Sequence, residues 1–151
     1  MKLCPKDSVG MIARNRYWEY LMLERLRHPA GLACVAGHLD IIDNEKELPL
    51  HGAFREWQEE TGSVARNMKL LFQKEFSNPC KDGSDGHLWY VYQVLDWSGE
   101  PKLIEKEKHG FVRWMSIAEI QEWVKSGKPV DPAWFAFIFP KLGLLSTVAK
   151  K

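Results

Sequence analysis

The segment Arg55-Glu56-Trp57-Gln58-Glu59-Glu60-Thr61-Gly62 constrains the fold more than any other stretch of this chain. Upstream of it, Pro49 suits the first turn of a helix, where its missing N–H would have no helical partner. Leu50, Ala53, Phe54 and Trp57 recur at the spacing of one buried stripe. Gly62 suits the position just past a helix end, where left-handed backbone costs glycine little. The spacing therefore predicts a helix from Pro49 to Thr61. Glu56, Glu59 and Glu60 stand at i, i+3 and i+4 on it, so they are surface neighbours. They lie off the apolar stripe and are expected to face a groove or solvent. Arg55 precedes Glu59 by four residues and can pair with it.

Three carboxylates this close repel one another unless positive charge sits among them. Glutamate is a good helix former, and most glutamate-rich helix faces are simply solvated. The sharper reading is a hard divalent cation with oxygen ligands. The surrounding residues decide between the two. Ala36-Gly37-His38-Leu39-Asp40 lies upstream, followed by a short insert and Glu47. Taken in order, Gly37, Glu47, Arg55, Glu56, Glu59, Glu60 and Gly62 resemble the box of the Nudix hydrolase family, G-x5-E-x7-R-E-U-x-E-E-x-G-U, with U a bulky aliphatic residue. From Glu47 to Gly62 the match is in register, with Trp57 at the apolar position. A fixed-spacing match over so many residues is far more specific than a lone glycine motif.

Two departures stand out. Gly37 and Glu47 are separated by nine residues where the pattern has five. The extra residues are expected to lengthen the loop around residues 41–45 without moving the helix, since surface loops tolerate insertion cheaply. Glu45 is an alternative to Glu47, though the helix spacing favours Glu47. Ser63 replaces the last aliphatic residue, which touches packing and not chemistry.

The resemblance implies an α/β fold, a three-layer α/β/α sandwich with a mixed β-sheet, in a single domain spanning residues 1–151 with its box near residues 37–63. It implies a magnesium-dependent pyrophosphohydrolase, with manganese as a possible substitute. Glu56, Glu59 and Glu60 would be metal ligands, with the backbone carbonyl of Ala36 as a further one. Glu47 and Arg55 would form the pair that orients the site. One of these carboxylates, or an acid from a later loop, would be the general base. That loop holds Glu105-Lys106-Glu107-Lys108-His109-Gly110 and resembles the E-P-E-K segment of triphosphate-hydrolysing members, with Lys106 in place of proline. Glu107 is the acid chosen from it; the competing reading is a solvated loop of alternating charge. Pro79, sixteen residues beyond the box, resembles a weak marker of ADP-ribose-hydrolysing members. The substrate is thus expected to be a nucleoside diphosphate derivative, with a triphosphate ahead of ADP-ribose or another nucleotide sugar. A catalytically silent nucleotide- or protein-binding module is the competing class; its mark would be missing box carboxylates, and all are present.

The rest of the chain is read from its residues. The 151 residues suffice for one domain with a real core, and 45% are apolar. A net charge of +1 speaks against an extended nucleic-acid partner held by a broad basic surface. Cys4, Cys34 and Cys80 are scattered without metal-ligand spacing and read as reduced cytosolic thiols. His38, His51, His87 and His109 form no short-spaced ligand pair, and each is expected in a polar loop or at the surface. Trp18, Trp89 and Trp97 are expected in the core, with base stacking as the alternative. No apolar run is long enough for a signal peptide or a membrane span, so the cytoplasm is the default location. A homodimer is compatible with everything in the sequence.

Residues 8–13 and 20–26 read as strands around a polar turn, and 32–36 as a short strand leading into Gly37. Residues 70–76, 88–95 and 111–115 read as three more, with 88–95 apolar on both faces and hence central. Ser116 and Glu119 form a capping-box signal for a helix ended by Ser126-Gly127-Lys128-Pro129. Asp131-Pro132 opens a last, aromatic-rich helix. The loop at residues 77–86 is turn-rich, either a lid over the substrate or an exposed hairpin end.

Overall fold

In the computed structural model, which describes residues 1–145, the central element is a mixed four-stranded sheet. Its strands are β1 (Ser8–Ala13), β4 (Val35–His38), β7 (Val64–Phe76) and β8 (His87–Ser98), in the order β4-β1-β8-β7. β1 and β8 run parallel in the middle, and antiparallel strands flank them. Every residue of β1 is buried, as both faces of a central strand require. The second sheet is antiparallel: β3 (Gly31–Ala33), β2 (Glu19–Arg25) and β9 (His109–Ser116). Residues 146–151 of the expected domain lie outside the described residues.

The mixed α/β architecture expected from the sequence is the one observed. The strands divide between two sheets, and the reading of individual strands differs at one place. Residues 32–36 are not one strand. The chain breaks at Cys34, so that β3 pairs with β2 while β4 pairs with β1. One short apolar run therefore serves both sheets. β7 begins at Val64, earlier than its apolar residues suggest, because its exposed first half borrows regularity from β8. The last helix opens as a π-helix over Ala133–Ile138 and closes with an α-turn, α3, at Phe139–Lys141.

Helix α1 spans Pro49–Thr61, with Pro49 in its first turn and Gly62 at φ 71° as its left-handed cap. It packs on β4, β1 and β7. Ala53 and Trp57 are fully buried, whereas Leu50 is exposed despite its place on the stripe. Helix α2 (Ile117–Lys125) carries the full capping box, with Ser116 and Glu119 each bonding the other's backbone N–H. The insert is a hairpin rather than an irregular loop. β5 (Ile41–Ile42) pairs with β6 (Glu45–Lys46) across Asp43 and Asn44, both at positive φ. This two-residue turn suits the twist of a hairpin. It brings Asp40 and Glu47 together at its base, where the Glu47 N–H bonds the Asp40 carbonyl at 2.8 Å. The additional residues extend outward, and the register of Glu47 against α1 is kept.

Candidate active site

Arg55 is the hub of the box. Its Nε and Nη2 donate to the two oxygens of Glu47, each at 2.8 Å. Nη1 donates to Glu56 at 2.9 Å and to both Glu59 oxygens at 3.1 Å. Nη2 also reaches the His38 carbonyl at 3.1 Å, and Asp40 lies 3.6 Å from Nε. A planar guanidinium can serve so many acceptors because its donors form a fixed fork. Glu47 accepts the Asp40 N–H as well, at 3.0 Å. Glu45 is exposed on the hairpin, so the choice between Glu45 and Glu47 as Arg55's partner falls to Glu47. Arg55's hydrogen bonds hold the Glu47 carboxyl below its usual range.

The three box glutamates sit in different surroundings. Glu59 is open to solvent. Glu56 is nearly covered, with its side chain 13% exposed. Burial pushes its carboxyl up to about 7; Arg55 opposes this and Glu59 reinforces it. Glu60 is buried, contrary to the expected open face. It is raised well above the carboxylate range, first by burial and then by Glu56. Two acids turned toward each other with too little positive charge retain protons. Gly37 makes this proximity possible: a Cβ there would collide with the Glu56 carboxylate.

In the loop before β9, the structure places Glu105, rather than Glu107, near the box. Glu105, Glu60 and His109 bring ligand atoms within 4.8 Å of one another. Glu107 is exposed. The reason is local: the N–H groups of Lys108 and His109 both bond the Glu105 carbonyl, at 2.9 and 3.0 Å. That turn faces Glu105 inward and Glu107 outward. His109 is buried, not at the surface, with Nε2 3.9 Å from Glu60 and Nδ1 without a protein partner. Burial lowers its pKa, which favours the neutral ring.

A cavity of about 360 Å³ adjoins the acids along Ala36, Gly37 and His38. Its other walls include Arg25, Asn78, Pro79 and Asp131. The sequence does not single out Arg25, and Asp131 reads there only as the start of the last helix. Arg25 ends β2 and touches Asp131 at 3.9 Å and the Pro29 carbonyl at 3.0 Å. No spacing in the sequence marks either, since they meet only through the sheet.

The remaining aromatic and histidine expectations divide. Trp89 is in the core, and Trp97 packs between Trp57 and Trp114. Trp18 is not in the core; it lies 65% exposed in the β1–β2 turn under the Arg14 guanidinium. His38 and His51 are exposed, but His87 is buried. The cysteines are not all scattered in space: Cys4 and Cys80 bring their sulfurs to 3.3 Å.

The model of the NUDIX domain family matches residues 5–136. No curated protein matches the chain. Among solved structures, a NUDIX hydrolase from Nitrosomonas europaea is 25% identical, with 79% of this chain and 77% of that one aligned at a TM-score of 0.58. The MutT NUDIX hydrolase of Burkholderia pseudomallei is 24% identical over 77% of this chain and 86% of its own, at 0.62. The NUDIX domain of Shewanella oneidensis NrtR, solved with ADP ribose, is 17% identical over 99% and 88%, at 0.65. The last two likenesses are of fold. The family match spans the box, both sheets and α2, and the box carboxylates are all in place; the chain therefore belongs to the Nudix family.

Proposed function

We propose that this protein, acting as one domain over residues 1–151, hydrolyses the pyrophosphate linkage of a nucleoside diphosphate derivative with magnesium, and that a nucleoside triphosphate is its favoured substrate. The observation carrying this reading is the meeting of the acidic cluster and the cavity at Gly37. A phosphate chain entering the cavity would arrive beside Glu56 and its neighbours.

The residues fit a hard divalent cation. Glu56 and Glu60 are oxygen donors that burial raises first, with a neighbouring carboxylate, Glu59 for Glu56 and Glu56 for Glu60, adding to it. Gly37 leaves the space beside Glu56 that any side chain would fill. Glu56, Glu59 and Glu60 would hold the ion, with the Ala36 carbonyl completing one side and Glu105, in place of Glu107, the other. When bound, magnesium or manganese neutralises phosphate oxygens and acidifies a coordinated water.

The chain's own groups do the rest. Arg55 locks Glu56 and Glu59 in one orientation, while Glu47 and Asp40 hold Arg55. Preorganisation of this kind removes the cost of turning charges during the reaction. The attacking water gives its proton to one of the box carboxylates. Arg25, at the cavity wall, offers a guanidinium to a phosphate, with Asp131 fixing its direction.

ADP-ribose is the second reading. Pro79 lines the cavity, and the NrtR domain carries ADP ribose on a similar fold. The deciding experiment incubates the protein with nucleoside triphosphates, dinucleotides and nucleotide sugars, with and without magnesium, and identifies the products. Monophosphate plus pyrophosphate from a triphosphate supports the first reading. AMP plus ribose phosphate supports the second. No product from any compound would leave only a silent binding module.

A further inference from the structure

Residues from three separate stretches of the sequence converge at the edge of the cavity, away from the box carboxylates. Cys4, His38, Cys80 and His87 offer two sulfurs and two imidazole nitrogens, all within 4.8 Å of one another. We propose that these four side chains form a Cys2His2 site for a zinc-type divalent cation, distinct from the magnesium site of the box.

The donor set is the first argument. Two thiolates and two imidazoles select a borderline-soft cation with tetrahedral preference, which is the profile of zinc and not of magnesium. Two thiolates and a divalent cation sum to zero charge. That suits a setting in which Cys4 and His87 are buried and Cys80 is half-buried.

The supporting hydrogen bonds are the second. His87 Nδ1 lies 2.9 Å from the Asn78 carbonyl, so that nitrogen donates and Nε2 is left with its lone pair free. A carbonyl partner of this kind fixes the tautomer and aim of metal-binding histidines. Cys4 is held by its N–H to the Gly86 carbonyl at 2.8 Å. Cys80 sits in a tight turn, its N–H bonded to the Ser84 carbonyl at 3.0 Å and its carbonyl to the Gly83 N–H at 3.1 Å. Both cysteines are thus positioned by backbone bonds, in addition to the hydrogen bond that Cys80 Sγ donates to Cys4 Sγ.

The third argument is distance. Two sulfurs about 2.3 Å from one tetrahedral zinc lie about 3.8 Å apart. Cys4 Sγ and Cys80 Sγ are separated by 3.3 Å, and the His38 and His87 rings face each other at 5.2 Å. His38 is the exposed member, and its ring stacks on that of His87. Each bound sulfur exchanges its S–H proton for a metal bond, so two protons are released per ion. The consequence is mechanical. The ion would tie the N-terminal segment and the 77–86 loop to the end of β4, whose His38 carbonyl contacts Arg55. The turn-rich loop would then be a fixed wall of the cavity.

Reduced full-length protein titrated with cobalt(II), then zinc(II), tests this without reference to nucleotide hydrolysis. One equivalent of cobalt should give tetrahedral visible bands and a sulfur-to-cobalt charge-transfer band, both abolished by zinc. The double variant Cys4→Ser with Cys80→Ser should lose the charge-transfer band and the bound equivalent. His87→Gln should lose tight binding, while Cys34→Ser should retain it in full. Glu59→Gln should also retain it, because Glu59 belongs to the other site. A charge-transfer band that survives the double cysteine variant would overturn the proposal. So would a reduced, folded protein that takes up no metal, and so would a Cys4–Cys80 disulfide that persists under the reducing conditions of the titration.

Discussion

Arg55 grips Glu47 at two points, Nε to Oε2 and Nη2 to Oε1, both 2.8 Å. The same guanidinium reaches Glu56 and Glu59, so one side chain sets the aim of three carboxylates. The pairing crosses from α1 to the base of the hairpin and fixes where the inserted residues leave the fold.

Arg55→Lys should uncouple this arrangement. A lysine keeps the charge but cannot make the parallel two-point contact. We expect a stability loss of about 1–3 kcal/mol, the scale of a hydrogen bond to a charged group or of a partner left unsatisfied. Turnover should fall with it. Thermal unfolding together with steady-state kinetics reads both; an unchanged midpoint and rate would remove Arg55 from its organising position.

Glu59→Gln should separate folding from chemistry. Glu59 is exposed, so the substitution should shift stability by no more than about 0.5 kcal/mol. Glutamine still accepts from Arg55 but cannot hold a cation's charge. Turnover should drop by about 100-fold or more, comparable to removal of one preorganised electrostatic group. Near-normal turnover would contradict the assignment.

Gly37→Ala should act through Glu56. The new methyl collides with the carboxylate at the far end of the flexible Glu56 side chain, which has to give way, so the effect should fall on the position of Glu56 more than on stability. Magnesium titrations should show weaker binding, because Glu56 has to move away. Unaltered magnesium affinity would mean that the space beside Gly37 is not needed by the ion.

The pH dependence of the metal-free protein should have an unusual sign. Glu56 is raised to about 7 and Glu60 is also raised well above the ordinary value of 4.5. The native state therefore holds more protons on these acids than the unfolded chain in the window from about 4.5 to 7 and above. The contribution of these two acids to stability must then fall as pH rises through it, and it must outweigh the opposite contribution of His38, His87 and His109, whose imidazoles burial keeps neutral. Denaturant midpoints at pH 5.5 and 7.5 should show the higher value at pH 5.5. Magnesium, which requires the ionised acids, should reverse the order. A metal-free protein steadier at pH 7.5 would show that these two acids are not the dominant titrating groups.

Helix α1 was legible to the residue because its signals are local. Pro49, the apolar stripe and the left-handed Gly62 act within a few residues of one another. The capping box of α2 is of the same kind. The contact of Arg55 with Glu59 followed from helical spacing, whereas that with Glu47 was implied only by the resemblance to the Nudix box. In contrast, Leu50 and Glu60 could not be sorted from periodicity alone: one is exposed and the other buried, according to which sheet α1 meets.

What the sequence determined by itself was therefore the helix, its acidic ladder, and the family to which that ladder belongs. Tertiary structure decided the rest: the splitting of residues 31–38 between two sheets, Glu105 over Glu107, the approach of Arg25 to Asp131, and the meeting of Cys4 with Cys80. Helical periodicity and capping are enforced by bonds between near neighbours. Cys4 and Cys80 are 76 residues apart, and only the pairing of whole strands brings such residues within reach.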